Sequence, residues 1–186
     1  MTASGVSTLS YFPLFARLDG RSVLVVGGGT VAARKIALLR RAGADIHVVA
    51  PQLAPELDTL RATGALRWLA TTFCPQHLDH AWLVIAATDD REVNTAVAAS
   101  AHARRLPVNV VDDPSASTVI LPAIIDRSPL VVAISSGGAA PAVARRVRAE
   151  IEALLDGSWT ALIKLCAAWR ARIKCSMPRV DVRRRF

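Results

Sequence analysis

The chain has 186 residues, of which 52% are hydrophobic, and a formal net charge of +8. This length suffices for one well-buried domain with an appendage, and no apolar run reaches the roughly 18 residues of a membrane span. The first ten residues lack the pattern of a secretory signal. The three cysteines, none in C-x-x-C spacing, exclude a disulfide scaffold or structural zinc site and predict a reducing cytoplasm.

The net charge is concentrated near the C-terminus. From residue 159 onward eight Lys and Arg residues accompany a single acid, Asp181, whereas the preceding residues are almost neutral. Nucleic-acid binding would therefore depend on this tail, which lacks the interleaved aromatic residues of a single-strand platform. We keep nucleic acid only as a third hypothesis and do not expect it to be a partner.

The stretch Ser22 to Ala33 organises the rest of the chain. Its valine-rich start, Ser22–Val26, is typical of a strand buried on both faces of a parallel sheet, and residues 30–41 form the predicted helix. Between them, the spacing Gly27-x-Gly29-x-x-Ala32 matches the dinucleotide-binding fingerprint. Gly27 permits the tight turn, and Gly29 lets a pyrophosphate approach the helix N-terminus. A tight strand-to-helix turn without a ligand is the alternative.

Strands and helices then alternate, which predicts an α/β fold with a Rossmann-like parallel sheet. Thr88 or Asp89 is the expected N-cap of the third helix. Ligands bind beyond the carboxyl ends of parallel strands, so the loops there form the expected binding edge. The predicted elements are strands over 45–49, 66–69, 82–87 and 107–111, and helices over 56–63 and 91–104.

After Asp113 the pattern changes. The runs 117–125 and 129–134 predict an antiparallel pair of strands. Helices are predicted over 141–155 and 159–174. The apolar residues of the last helix require a partner surface, either on the rest of the chain or on a second subunit. We therefore divide the chain into a nucleotide-binding Rossmann domain (1–113), a β-rich segment (114–150) and a basic helical segment (151–186).

The residues leave the choice of cofactor and chemistry open. No acid follows the second strand, where the chain continues Ala50-Pro51-Gln52, so the sequence does not choose between NAD and NADP. The four histidines do not fall in the strand-end loops. Asp112 and Asp113 do, directly after the fifth strand, where a carboxylate could take a proton beside a nicotinamide. A simple Asp-Pro-Ser turn is an equally good interpretation.

Taken together, four motifs resemble the N-terminal module of siroheme synthase, the precorrin-2 dehydrogenase and sirohydrochlorin ferrochelatase. The similarity spans about residues 10–175, and its most specific part is the last motif. The motifs are PLFARLDGRSVLVVGGGTVAARK (13–35), IAATDDREVN (85–94), NVVDDP (109–114) and LPAIIDRSPLVVAISSGGAAPAVARRVR (121–148).

The resemblance implies NAD-dependent oxidation of precorrin-2 to sirohydrochlorin by a homodimer, with insertion of ferrous iron as an optional second step. It implies that Asp112 is the general base, that residues 1–113 bind NAD, and that the segment 114–150 provides the dimer contact and the substrate cleft. The expected cofactor-binding residues are Gly27, Gly29, Thr30, Val31, Pro51, Gln52 and Thr88. The expected substrate-binding residues are Asn109, Ser136 and Arg127, and the serine that Ser136 matches carries a phosphate in some members. No resident metal is expected.

Two questions remain open at this stage. The fused methyltransferase module of the family is not found in these residues, so we do not expect this chain to make precorrin-2, and the early end at Phe186 leaves ferrochelatase competence undecided. A non-catalytic NAD-sensing or tetrapyrrole-binding regulatory module on the same fold is the alternative function.

Overall fold

The computed structural model describes residues 9–176, without the side chains of residues 171 and 173–175. The first eight residues and residues 177–186, which include four of the eight basic residues of the predicted tail, lie outside this range. The described chain divides into two compact units, one ending at Ile120 and the other starting at Leu121. None of the described helices is both long and apolar enough to cross a membrane.

The first unit is a five-stranded parallel sheet with the strand order β3-β2-β1-β4-β5, which confirms the predicted α/β fold. The strands are β1 (Ser22–Val26), β2 (Asp45–Val49), β3 (Arg67–Ala70), β4 (Leu83–Ala86) and β5 (Val108–Val110). The helices are α1 (Thr30–Arg41), α2 (Pro55–Ala62) and α3 (Arg91–Ala103), with a 3₁₀ helix at Pro75–Leu78.

The two faces of this sheet are buried differently. One face packs with Val97, Ala98 and Ala101 of α3 into a single cluster of buried residues. Successive side chains of a strand point to opposite faces of the sheet. Ile85 of β4 and its register partner Asn109 of β5 therefore point to the face opposite α3. The buried side of α1, which contains Ile36 and is not part of the α3 cluster, covers that opposite face along β1 and β2.

The predicted strand over 117–125 is wrong in its first half. Ser117 and Thr118 run along the outer edge of β5, where their hydroxyl groups accept hydrogen bonds from the backbone N–H groups of Val110 (2.8 Å) and Val108 (2.9 Å). Side-chain oxygens thus satisfy the edge of the sheet in place of a sixth strand. The segment enters a strand only at Ala123.

The second unit contains the predicted antiparallel pair, formed by β6 (Ala123–Arg127) and β7 (Leu130–Ile134), followed by α4 (Pro141–Leu154) and α5 (Gly157–Ser176). The last helix begins two residues earlier than predicted, because the Asp156 carboxylate accepts hydrogen bonds from the backbone N–H and hydroxyl of Ser158. These hydrogen bonds lower the pKa of Asp156 and stabilise the first turn of α5.

Candidate active site

The carboxyl ends of the five parallel strands form one edge of the sheet. The order of the strands reverses at β1, because β2 lies on one side of it and β4 on the other. In open α/β sheets this switch point is where ligands bind. The two loops that flank it are the Gly27–Gly29 turn after β1 and residues 87–90 after β4.

Gly27 and Gly28 allow close approach of neighbouring loops. Gly27 has a φ of +127°, and a Cβ atom there would lie 2.1 Å from the carbonyl oxygen of Ala87. A Cβ atom on Gly28 would lie 2.0 Å from the carbonyl oxygen of Gln52. Side chains at these two positions are therefore excluded by backbone atoms, and the glycines bring the loops after β1, β2 and β4 together.

Gly29 has the opposite environment. A Cβ atom on Gly29 would meet no atom within 4 Å, and Gly29 is the N-cap of α1 without a side-chain hydrogen bond to the helix. Thr30 and Val31 of the first turn are exposed. An uncapped helix N-terminus with open space in front of it has the N–H donors and partial positive charge that a pyrophosphate requires. The predicted dinucleotide cradle therefore fits the residues present.

Pro51 and Gln52 follow the second strand at this edge of the sheet, and both are exposed. The loop is fixed by the backbone N–H of Ala54, which donates to the carbonyl of Gly28 (2.7 Å). No acid follows β2 here, so backbone groups and the Gln52 amide are the groups available to a ribose.

The loop after β4 is held by Asn94 of α3. The Asn94 amide donates to the carbonyl oxygen of Thr88 (2.8 Å) and accepts from the Thr88 N–H (3.4 Å). The prediction that Thr88 or Asp89 caps α3 is wrong, because the Asp90 carboxylate accepts from the N–H groups of Glu92 (2.9 Å) and Val93 (3.2 Å). The Thr88 hydroxyl instead bonds the backbone of Asp90.

The structure separates the roles of the two aspartates after β5. The Asp113 carboxylate accepts hydrogen bonds from the Ser115 hydroxyl (2.6 Å) and from the N–H groups of Ser115 and Ala116, which lower its pKa. Asp113 is thus the turn former. Asp112 is exposed in a left-handed conformation (φ +59°), and within residues 9–176 its carboxylate accepts no hydrogen bond of this kind.

Asn109 is the one buried polar residue of the described core, with 8% of its surface exposed. Its amide N–H donates to the carbonyl oxygen of Val119 (3.0 Å), and its Oδ1 atom has no hydrogen-bond partner among the described residues. A buried acceptor without a partner costs free energy unless a ligand or solvent supplies a donor. Asn109 lies three residues before Asp112, on the sheet face opposite α3.

Arg127 and Ser136 belong to the second unit. The Arg127 guanidinium donates to the carbonyl of Leu155 (2.9 Å) and pairs with Glu152 (3.3 Å), which fastens β6 to the end of α4. The hydroxyl of half-buried Ser136 accepts from the N–H of Ala140 (3.1 Å), directly before α4. Both side chains therefore have partners within their own unit, and their roles toward a substrate stay predictions.

Lys35 of α1 was missed by the sequence analysis. Its side chain is half-buried, and this burial lowers its pKa while the Asp112 carboxylate raises it. In the sequence Lys35 follows Arg34 and looks like half of a solvated basic pair. The sequence feature that indicates partial burial of Lys35 is its position next to Ile36, at the border of the apolar stripe of the helix.

No group of three or more His, Cys, Asp or Glu side chains in the described part of the chain is placed to hold a metal ion.

Two family models match this chain. Residues 14–123 match the family described as NAD(P)-binding, and residues 127–154 match the central part of a sirohaem biosynthesis protein. The first match covers more than half of the chain. It includes all five strands of the parallel sheet and the loops that form the binding edge.

The curated relatives are siroheme synthases. Siroheme synthase 3 of Aeromonas hydrophila is 53% identical over 178 residues, which cover 96% of this chain and 38% of the relative. Siroheme synthase 1 of Pectobacterium atrosepticum is 52% identical and the siroheme synthase of Chromobacterium violaceum 51% identical, with 37% and 38% of their lengths covered. The chain thus spans less than two-fifths of these relatives.

A solved structure, SirC, is described as a precorrin-2 dehydrogenase. It matches with a TM-score of 0.73 and 32% identity over 88% of this chain and 80% of the SirC chain. The resemblance that the four motifs indicated is confirmed by these matches. The chain therefore belongs to the NAD(P)-binding family that contains the siroheme synthases and SirC.

Proposed function

We propose that this chain is an NAD-dependent dehydrogenase that oxidises precorrin-2 to sirohydrochlorin. The observation that carries the proposal is the juxtaposition, along one sheet edge, of an open helix N-terminus at Gly29 and the unbonded carboxylate of Asp112. The family membership and the name of SirC support the choice of substrate.

Each part of the edge has a task in this proposal. The N–H groups at the start of α1, next to Gly29, Thr30 and Val31, hold the pyrophosphate, and Pro51 and Gln52 contact the adenosine ribose. The loop of Thr88, fixed by Asn94, borders the opposite side of the crevice. When bound, NAD supplies the acceptor for a hydride from the reduced macrocycle.

The residues of the chain orient the substrate and remove a proton. Loss of hydride and proton from precorrin-2 forms the new C=C bond, and the carboxylate of Asp112 takes the proton. Because conjugation of the product favours the reaction, a site with a single carboxylate suffices. Asn109 of β5, the strand that precedes Asp112, contributes an Oδ1 acceptor without a partner among the described residues. Ser136 and Arg127 are proposed substrate contacts.

The test compares the two neighbouring aspartates. Under anaerobic conditions, precorrin-2 and NAD are added and both NADH absorbance and the tetrapyrrole spectrum are followed. Asp112→Asn keeps a residue that tolerates the left-handed conformation and should lower kcat by about 10² to 10⁴-fold, the usual range for a general base. Asp113→Asn, which keeps a turn-forming acceptor, should retain activity.

Failure of the parent chain to produce NADH, while it still binds NAD in calorimetry, would favour the regulatory module. Equal activity of Asp112→Asn and the parent would remove Asp112 from the chemistry.

The proposal extends to a homodimer formed through the second unit. Helix α5 exposes one stripe of large apolar side chains, with Trp159, Leu162 and Trp169 on average about half accessible. Such a stripe needs a cover, and a second copy of this chain supplies an equal apolar face. Sedimentation of the parent chain tests this part, because a monomer at micromolar concentration contradicts it.

Insertion of ferrous iron is a separable second part of the proposal. It is included because the curated relatives are named for siroheme, the iron-containing product. Iron would be a substrate here. Sirohydrochlorin and Fe(II), added without NAD, test this step independently of the dehydrogenation.

A cytoplasmic location is proposed from the free thiols of Cys74 and Cys166.

A further inference from the structure

The two strands of the second unit differ at their outer edges. On β6, the backbone carbonyls of Ile124 and Asp126 accept hydrogen bonds from arginine side chains. Arg148 of α4 donates to the carbonyl of Ile124 (2.8 Å), and Arg127 donates to the carbonyl of Asp126 (3.2 Å). Guanidinium groups thus occupy the edge to which a further strand would add, and charged side chains are one means by which proteins protect an edge strand.

The pairing register shows which backbone groups of β7 point outward. Directly opposed residues of an antiparallel pair alternate between hydrogen-bonded and non-bonded pairs. Because the carbonyls of Ile124 and Asp126 are turned to arginines, their register partners Ala133 and Val131 belong to the non-bonded pairs. The N–H and carbonyl groups of Val131 and Ala133 therefore point to the outer edge of β7.

This outer edge of β7 lacks the protection found on β6. Among residues 9–176, no side chain hydrogen-bonds to Val131 or Ala133, and both residues are exposed. The strand, Leu130–Ile134, contains no charge and no proline, and its pairing with β6 has no bulge. A two-stranded sheet is only marginally stable in water, and an open, flat, apolar edge is a site where another strand adds.

We propose that β7 pairs with β7 of a second copy of this chain, antiparallel about a two-fold axis at Val132. Val131 exchanges backbone hydrogen bonds with Ala133 of the second copy, and Ala133 does so with Val131 of the second copy. The two hairpins then form one four-stranded sheet. This inference rests on the homodimer of the proposed function and names the contact that sets its register.

Three observations favour a second copy as the added strand. Because β7 is uncharged, an identical strand meets no like-charge repulsion. The arginine-covered edges of β6 become the outer edges of the four-stranded sheet, so assembly closes at two copies. A stable dimer buries about 800 Å² on each partner, and α5, which packs on β6 and β7, supplies large exposed apolar side chains that a five-residue strand lacks.

Cysteine crosslinking of the full chain tests the register. In the proposed pairing the two copies of Val132 oppose each other as a non-bonded pair, with Cα atoms about 4.5 Å apart, a distance that a disulfide spans. Val132→Cys should therefore give a disulfide-linked dimer on mild oxidation. Leu130→Cys, on the same face of the same strand, is the matched control. Two copies of Leu130 lie more than about 13 Å apart, so this variant should crosslink no more than the parent.

A charge at the outer edge tests the pairing without disulfide chemistry. Val131→Lys should raise the Kd of the dimer at least about tenfold, since the ammonium must lose water where the strands meet. The side chain is 38% exposed in the single chain, so the hairpin itself tolerates the change. Leu69→Lys, on the exposed edge strand β3 of the first unit, is the control and should leave the Kd unchanged.

Backbone amide exchange locates the contact. Exchange at Val131 and Ala133 should slow as the protein concentration rises through the Kd of the dimer, because their N–H groups become hydrogen-bonded. Ile124 and Asp126, whose N–H groups point to the opposite edge, should exchange at an unchanged rate.

The outcomes distinguish this inference from the proposed dimer itself. A dimeric parent in which Val132→Cys does not crosslink would overturn the strand pairing and assign the dimer to the apolar stripe of α5 alone. A monomeric parent would overturn both. Equal crosslinking of Val132→Cys and Leu130→Cys would overturn the two-fold register.

Discussion

The two units of this chain bury their apolar residues to very different extents. Among the described residues, nearly all buried hydrophobic side chains belong to the first unit, and the second contributes only Ile125 and Ala144. The second unit instead exposes Val143, Leu154 and the apolar stripe of α5. The first unit is therefore stabilised by its own core, whereas the second buries few apolar side chains within itself, and the proposed dimer would cover part of its apolar surface.

This contrast assigns different sensitivities to the two units. Substitutions in the glycine turn should lower either the stability of the first unit or its affinity for NAD, depending on which glycine is replaced. Substitutions on α5 should change the oligomeric state. The predictions below test or refine that division, from the largest expected effect to the smallest.

Gly27→Ala should unfold the first unit. The added methyl group would overlap the Ala87 carbonyl, 2.1 Å away, at a φ that L-residues rarely adopt. We expect a loss of more than about 4 kcal/mol in the free energy of unfolding, which marks severe substitutions. Thermal denaturation followed by circular dichroism measures it, and a melting temperature within a few degrees of the parent would contradict the close contact.

Leu162→Glu should convert the proposed dimer into a monomer while the first unit stays folded. A carboxylate in the middle of the α5 stripe would be desolvated in an apolar interface. Analytical ultracentrifugation gives the oligomeric state. Lys164→Glu, a charge change of the same helix at an exposed position outside the stripe, is the control and should leave the sedimentation coefficient unchanged.

Gly29→Ala should weaken NAD binding without unfolding the chain. Its methyl group meets no protein atom within 4 Å but enters the space in front of α1 that the pyrophosphate requires. We expect a loss of about 10 to 100-fold in affinity, equivalent to one lost hydrogen bond to a charged group. Gly157→Ala, which also meets no atom, is the matched control in the second unit. Normal affinity of Gly29→Ala would place the cofactor elsewhere.

Asp90→Ala should cost about 1 kcal/mol of unfolding free energy, because it removes the side-chain cap of α3. Asp89→Ala, one residue earlier, should cost much less, since Asp89 does not cap the helix. Urea denaturation of both variants compares them directly. A larger loss for Asp89→Ala would restore the capping position that the sequence suggested.

The smallest effect concerns acid stability. The pKa of Asp113 is lowered by the hydrogen bonds from Ser115 and Ala116, so the folded state binds this proton less readily than the unfolded state. The resulting stability is present above the ordinary carboxyl pKa of 3.8 and is lost as the pH falls through the lower folded value. Asp113→Asn should flatten this part of the pH–stability curve, measured by denaturation between neutral pH and pH 3.

The local sequence pattern predicted secondary structure correctly where a single physical requirement decided it. The valine run and the glycines fixed β1 and α1 at the observed residues, because burial on both faces and a tight turn each leave few alternatives. Where side chains compete for backbone groups, the prediction failed. Ser117 and Thr118 were assigned to a strand, but their hydroxyls bond the edge of β5, a contact that depends on how the chain folds back.

The sequence alone determined the α/β class, the parallel strands, the cofactor turn and the family, since these follow from periodicity and from motifs of adjacent residues. Only the tertiary structure decided which aspartate forms the turn, which glycines lie against the backbone of other loops, and that the Lys35 side chain is half-buried. The glycine contacts join residues far apart in the chain, and contacts of that kind arise from packing, which no local pattern encodes. The Asp113 turn is local, but Asp112 and Asp113 are adjacent, so only the backbone conformation decides which carboxylate accepts its hydrogen bonds.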